Sequence, residues 1–271
     1  MKKVLLSIFI SLLVFIFPSV CFATASKNFI KKDHEIFDQW WICRTNTVGE
    51  HGFFQISQQG FRPVIVFESL GKHADIAYRM GKELAQRYPD PYQRAEKIFQ
   101  FVRDKVRYVS DMDQFNYPEF AQNADELART IKEKGFALGD CEDMAILLAV
   151  MYKGAGYRSA IVLAPGHAAT LVYLPGYRKA NIPLTFNGER GWIWAEATGK
   201  NNHLGWMPER FLGKKVLGYE ISAEEVSLSK PKGETKPIAP KSSPNKPLMS
   251  SPFGMVVFLM FILSIFRRRR R

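Results

Sequence analysis

The chain has few of the residues that bind metals or cross-link small domains: three cysteines and five histidines among 271 residues. Cys21 falls in the N-terminal leader described below, so Cys43 and Cys141 remain and could form at most one disulfide. Cys141, His167 and His203 lack the paired ligand spacing that is typical of zinc sites. The sequence therefore predicts no metal site and no cofactor.

A strong charge excess is also missing once the two ends are set aside. Of the formal charge of +12, two lysines in the leader and five arginines at the C-terminus account for seven, which leaves +5. Several of the remaining lysines lie in a linker, so the folded part is only mildly basic. This balance argues against nucleic acid as a partner.

The N-terminus has the composition of an export signal. Lys2 and Lys3 precede an apolar run over residues 4–17, and Ala23-Thr24-Ala25 is a cleavage site of small residues. Residues 1–25 are therefore predicted to be a secretory signal peptide.

The C-terminus predicts attachment to a membrane. Residues 227–251 are a linker rich in proline, serine and lysine, without an apolar period, and are predicted to be disordered. Residues 252–271 hold the apolar run 253–266 and a cluster of five arginines. The run would extend about 21 Å as a helix, short of the ~30 Å hydrocarbon core, and arginine snorkelling could close part of that gap.

An arginine cluster stays on the cytoplasmic side. The prediction is an exported, extracytoplasmic domain, anchored to the membrane or cell surface by its C-terminus. The same layout resembles a sorting signal cleaved by a sortase-type processing enzyme, and the sequence leaves anchor and sorting signal open.

The residues between the ends, 26–226, suffice for one hydrophobic core and contain no internal repeat. Two short buried strands are predicted at 40–43 and 64–67. Apolar periodicity and capping residues then predict four helices, over residues 73–88, 90–108, 124–134 and 141–154. Alternation between turn residues predicts strands at 159–163, 167–174 and 192–198, the last two separated by a long connection. Helices followed by strands indicate an α+β domain, with a helical half packed on an antiparallel sheet.

The motif Gly139-Asp140-Cys141-Glu142-Asp143 opens the last of these helices. Unpaired backbone N–H groups and the helix dipole stabilise negative charge at a helix start, which predicts a lowered pKa for the Cys141 thiol. A nucleophilic thiolate needs a base and a group that orients the base. His167 and Glu196, on two later strands, could supply these roles.

Other readings of the same residues stay open. Asp140 suits a helix N-cap as well as it suits chemistry. His203, in a loop, is a rival base. A Cys43–Cys141 disulfide would instead make the domain purely structural.

The order of cysteine, histidine and acid resembles the transglutaminase-like branch of the papain-like fold, over residues 90–200. The motif around Cys141 carries the resemblance, with Pro165-Gly166-His167-Ala168 and the segment 192–198. The resemblance implies Cys141 as nucleophile, His167 as general base and then acid, and Glu196 as the residue that orients the imidazole. The family more often has Asp at the third position.

The resemblance also implies an oxyanion hole. The backbone N–H of Cys141 would be one donor, and the second would come from Gln114, Tyr117, Gln122 or Asn123.

Together these features predict an exported, membrane-tethered acyl-transfer enzyme that cleaves amide bonds of peptides or proteins through a thioester, as a cysteine peptidase or amidase. A protein cross-linking transglutaminase is one alternative. The other is a non-catalytic binding or scaffolding module of the cell envelope.

Overall fold

The computed structural model describes residues 26, 28–49, 51–57, 60–70 and 75–222, and the backbone of 236–240. The predicted signal peptide, most of the predicted linker and the C-terminal apolar run lie outside these residues. Within them, no helix combines the length and the apolar character needed to cross a membrane.

The described chain opens with a five-stranded sheet, in spatial order β1 to β5. Its strands are β1 (Ile30–Lys32), β2 (Glu35–Phe37), β3 (Cys43–Val48), β4 (Gly52–Ser57) and β5 (Gly60–Pro63). Of the strand predicted at 40–43, only Cys43 lies in a strand. The rest of that prediction is wrong, because Trp41 has a φ of 63° and cannot continue a strand. The strand predicted at 64–67 is also wrong: Val64–Ser69 is a buried 3₁₀ helix. A short apolar run does not by itself distinguish a buried strand from a buried helical turn.

A buried arginine ties this sheet to the helices. Arg44 is fully buried in β3, and its guanidinium pairs with Asp38 at 2.8 Å, Glu126 at 2.9 Å and Glu68 at 3.2 Å. Glu126 also completes the capping box of the helix that follows Asn123. Because removal of one partner from a buried ion pair costs about 3–5 kcal/mol, the cluster fixes the N-terminal sheet against the helical half.

Five α-helices follow within the described part of the chain: α1 (Ile76–Arg87), α2 (Pro91–Lys105), α3 (Asp111–Phe115), α4 (Ala124–Lys134) and α5 (Cys141–Gly154). Asp90 caps α2 by accepting a hydrogen bond from Gln93 N. The predicted end of α2 at residue 108 is wrong, because Val106–Tyr108 leaves the helix as strand β6 and pairs in parallel with β7 (Ala137–Gly139). This pairing places the end of β6 beside the start of α5.

Helix α5 is the centre of the fold. All its residues from Glu142 to Tyr152 are buried, and it contacts α1, α2, α4 and the sheet behind it. The contact with α1 is close enough to require glycine on both helices. A Cβ on Gly81 would lie 2.0 Å from Met151 O, and a Cβ on Gly154 would lie 1.9 Å from Tyr78 O.

The second sheet is antiparallel and closes on itself in the order β10-β11-β9-β8-β12-β13. Its strands are β8 (Ser159–Ala164), β9 (His167–Tyr173), β10 (Leu184–Phe186), β11 (Glu189–Ala195), β12 (Val216–Glu220) and β13 (Lys236–Pro240). β10 lies in the predicted long connection, and β13 lies in the predicted disordered linker, which is wrong at these five residues. β13 contains two prolines, which argue against a strand in the sequence. The strand forms because it pairs with β10 on one side and β12 on the other. The predicted mixed helix-and-strand class is confirmed, with α5 packed on β8 and β9.

Candidate active site

Cys141 is the first residue of α5, and its thiol is free. Cys43 is also free and is buried in β3, so the alternative of a Cys43–Cys141 disulfide is wrong. Asp140 occupies the N-cap position, yet its side chain makes no capping hydrogen bond. Burial raises the pKa of the Asp140 carboxyl, and the backbone N–H groups of Glu142 and Asp143 oppose this rise. The N-cap interpretation of Asp140 therefore holds for its position, without a capping hydrogen bond of ordinary geometry.

His167 and Glu196 meet at one end of the second sheet. His167 is the first residue of β9, and Glu196 directly follows the last residue of β11. These strands are antiparallel neighbours, so the start of one lies beside the end of the other. His167 Nε2 is 2.6 Å from Glu196 Oε2, and the two residues are only 8% and 2% exposed.

Cys141 contacts β9 at Ala168, the residue that follows the histidine in sequence. Thr170 Oγ1 donates to Ala145 O at 2.8 Å, which fixes the N-terminal part of α5 on that strand. The backbone N–H of Ala168 donates to the sulfur, and the thiol donates to Glu142 Oε2 at 3.2 Å. Within the described residues no hydrogen bond joins the sulfur to the imidazole of His167. The structure thus brings His167 and Glu196 into contact and places Cys141 beside Ala168.

The surroundings of Cys141 raise the pKa of its thiol well above the ordinary value. Burial of the sulfur is the largest cause, followed by the negative charges of Glu142 and Asp140, while the Ala168 N–H opposes them. The lowered pKa predicted from the helix start is therefore wrong. The dipole contributes only a partial charge, whereas the two carboxyls that flank the cysteine can each carry a full one.

The thiol borders a group of buried carboxyls. Burial and the charge of Asp140 raise the pKa of Asp111 to about 8 and those of Glu142 and Asp143 well above their ordinary values. Three overlapping sets have donor atoms close enough together to hold a metal ion: Asp140, Cys141 and Glu142; Asp111, Asp140 and Asp143; Asp111, Glu119 and Glu142. Oxygen-rich sets of this kind suit hard cations such as Ca²⁺ or Mg²⁺.

The residues predicted as second oxyanion donors do not all remain available. Gln122 donates from Nε2 to Leu138 O and Asp143 Oδ2, at 3.0 and 2.6 Å. Asn123 is fully buried and donates to Glu68 Oε2 at 2.6 Å. Both amides therefore hold the structure together, and Gln114 and Tyr117 are left as candidates.

Tyr108 is a candidate that the sequence reasoning missed. It is the last residue of β6, aligned with Gly139, and is 56% exposed. Partial burial and then the charges of Cys141 and Asp140 raise the pKa of its hydroxyl to about 12, so the hydroxyl keeps its proton. Reading residues 106–108 as a strand would have placed it beside the cysteine motif.

The rival base, His203, is exposed in the loop after β11. Its neighbour Asn202 faces the site instead, where Nδ2 donates to Glu196 O at 3.0 Å. The loop therefore supports the backbone of Glu196.

Comparison with known families agrees with this arrangement of helix and strands. Residues 79–209, which include Cys141, His167 and Glu196, match the model of the transglutaminase-like superfamily. These residues are similar to transglutaminase-like domains. The predicted family is thereby confirmed, and the match supports a cysteine-type enzyme in broad terms.

A solved structure is also similar to this chain: a candidate cysteine protease from Cytophaga hutchinsonii, determined to 1.9 Å. It shares 16% identity at a TM-score of 0.32, over 65% of this chain and 62% of that one. This chain therefore spans about three fifths of that protein's length, and a likeness this distant carries no argument about function. No curated protein matches the sequence.

Proposed function

We propose that this protein is a cysteine-nucleophile acyl-transfer enzyme that hydrolyses amide bonds of peptides or proteins through a thioester. The observation that carries the proposal is the buried His167–Glu196 pair beside the strand residue that contacts the Cys141 sulfur. A base held by an ionised acid, next to a thiol at a helix start, is the arrangement that nucleophilic catalysis requires.

In the proposed reaction the Cys141 sulfur attacks the amide carbonyl carbon while its proton passes to His167 Nδ1. The resulting oxyanion accepts hydrogen bonds from Cys141 N–H and from the Tyr108 hydroxyl. His167 returns the proton to the departing amine as the C–N bond breaks, which leaves a thioester. Water then attacks the thioester, with its proton passing to His167, and the thiol is restored as the acid product leaves.

The raised pKa of Cys141 bears on the first step. A thiol surrounded by acids rests in its protonated form, so proton transfer to His167 must accompany the attack rather than precede it. Glu196 stays ionised and stabilises the imidazolium that forms. Activation of the Cys141 thiol is therefore assigned to the His167–Glu196 pair and not to the helix dipole.

The same raised pKa favours a second candidate, a binding or scaffolding module that keeps the fold and performs no turnover. A resting thiol without a hydrogen bond to the imidazole among the described residues suits such a module as well as it suits an enzyme. The two candidates differ in what removal of Cys141 or His167 does.

Export, a C-terminal anchor and a peptide or protein substrate complete the proposal. They are supported by the composition of residues 1–25 and 252–271 and by the reaction class, and a sortase-type enzyme remains a candidate partner for the C-terminus. The mass of the mature protein measures whether each end is cleaved.

The deciding experiment uses the full-length protein and its Cys141→Ala and His167→Ala variants. Hydrolysis of a peptide library is followed by mass spectrometry, together with trapping of an acyl group on Cys141. For an enzyme, the wild type cleaves peptides and both variants lose cleavage while they stay folded. For a scaffold, none of the three cleaves any peptide, and the proposal of catalysis fails. Cys43→Ala is the matched control, since that buried thiol lies outside the site.

A further inference from the structure

The Glu196 carboxylate is held at both oxygens. Oε2 accepts from His167 Nε2 at 2.6 Å and from the indole N–H of Trp194 at 3.3 Å. Oε1 accepts from the hydroxyl of Thr198 at 2.5 Å and from its backbone N–H at 3.4 Å. Each oxygen thus has a donor other than the imidazole.

The spacing of these residues follows from the strand. Residues two apart along an extended chain face the same side, so Trp194 lies on the face of Glu196. Thr198 stands two residues on the other side, in the turn after β11. The acid is therefore bracketed along the chain by the two residues that donate to it.

Glutamate in this position needs such donors more than aspartate does. Its side chain has one more rotatable bond, and fixing that bond in a single rotamer costs conformational entropy. Hydrogen bonds at both oxygens leave one orientation for the carboxylate. The orientation of His167 is restricted as well, because the ring of Phe211 stacks on its imidazole at 5.4 Å between centroids, with the planes 11° apart.

We propose that Thr198 and Trp194 are positioning residues that orient Glu196 toward His167, Thr198 through Oε1 and Trp194 through Oε2. This inference rests on the proposed function, in which Glu196 orients the imidazole. The Trp-x-Glu-x-Thr spacing at 194–198 thus has a role of its own, which is to hold the carboxylate of Glu196 in one orientation.

The electrostatics of the acid agree with this geometry. Burial favours the protonated form of Glu196, yet its pKa is lowered, because the hydrogen bond and charge of His167 and the donors on Thr198 and Trp194 outweigh the burial. Hydrogen bonds to an ionised group are the stronger kind, so removal of one has a measurable effect.

The test compares Thr198→Val, which removes the hydroxyl and keeps the shape, with Thr198→Ser, which keeps the hydroxyl. Trp194→Phe removes the other donor and serves if Thr198→Val does not fold. The first readout needs no activity: NMR titration of the Glu196 carboxyl in full-length protein carrying Cys141→Ser. The expected result is a higher Glu196 pKa in Thr198→Val, with Thr198→Ser close to the parent.

The second readout is kinetic. On a peptide that the wild type cleaves, kcat for Thr198→Val should fall roughly 10- to 100-fold with KM little changed. Thr198→Ser should restore kcat.

Unchanged titrations and kinetics in both Thr198→Val and Trp194→Phe would overturn the inference. So would a loss of thermal stability in these variants without any change in the Glu196 titration, since that marks a structural role alone. If no peptide is cleaved by the wild type but the Glu196 titration shifts as expected, the proposed function fails while the orientation of Glu196 by Thr198 stands.

Discussion

Substitution of Gly81 by alanine tests whether α1 and α5 pack so closely that only glycine fits between them. The added Cβ would lie 2.0 Å from Met151 O, a backbone atom that cannot rotate away, so one helix must move by more than 1 Å to reach ordinary contact. Overpacking of this kind costs typically about 1–3 kcal/mol and occasionally more. Alanine recovers about 1 kcal/mol of helix propensity. Since a backbone clash lies at the costly end of that range, we expect a net loss of about 2 kcal/mol.

The assay is urea unfolding of the full-length protein, with thermal unfolding as a second measure. A loss of about 2 kcal/mol corresponds to a fall in Tm of about 4–8 °C for a domain of this size. Lys82→Ala, one residue further along α1 and exposed, is the control and should stay within about 0.5 kcal/mol of wild type. Wild-type or greater stability for Gly81→Ala would refute the packing argument.

Three further predictions concern the site. Tyr108→Phe should lower kcat by about 10²-fold with KM nearly constant, as expected when an oxyanion donor is lost, while Tyr117→Phe should change neither; a silent Tyr108→Phe would remove it from the oxyanion hole. Glu142→Gln should lower the pKa of Cys141, because it removes the nearest negative charge, and pH-dependent alkylation followed by mass spectrometry measures this; an unmoved midpoint would contradict the assigned cause. Asp111 keeps its proton in the folded state up to about pH 8, whereas its ordinary pKa is 3.8. The free energy of unfolding should therefore fall as pH rises between these values, and Asp111→Asn should flatten the fall; parallel curves would show that another group is responsible.

The elements that the sequence predicted well carry local signals. α4 begins at a capping box formed by Asn123 and Glu126 and ends at Gly135, which has a positive φ of 83°. α5 is long, strongly apolar and opens at the cysteine motif. These helices are specified within their own segments, so periodicity and capping residues suffice to place them.

The misplaced elements depend on distant partners. Residues 106–108 continue the apolar period of α2, and only pairing with β7 draws them into a strand. β13 forms for the same kind of reason, between two strands far from it in the chain. Local pattern cannot reveal such partners.

The sequence predicts the order of the site residues along the chain, but it does not predict the electrostatic environment of the thiol. The succession of Cys141, His167 and Glu196 led to the family, and the segment that contains them matches it. The pKa shift predicted for Cys141 has the wrong sign, because the argument from the helix start includes the dipole and leaves out burial and the charges of Glu142 and Asp140. Asp111 reaches this group from another helix, and its contribution depends on the tertiary structure.

Cys141 begins a helix, while His167 and Glu196 belong to strands formed from later sequence. In the proposed reaction the sulfur therefore has no positioned proton acceptor until these strands have docked on α5. The reactivity of the thiol would then appear only when the last strands of the second sheet have formed, however early the helix itself folds.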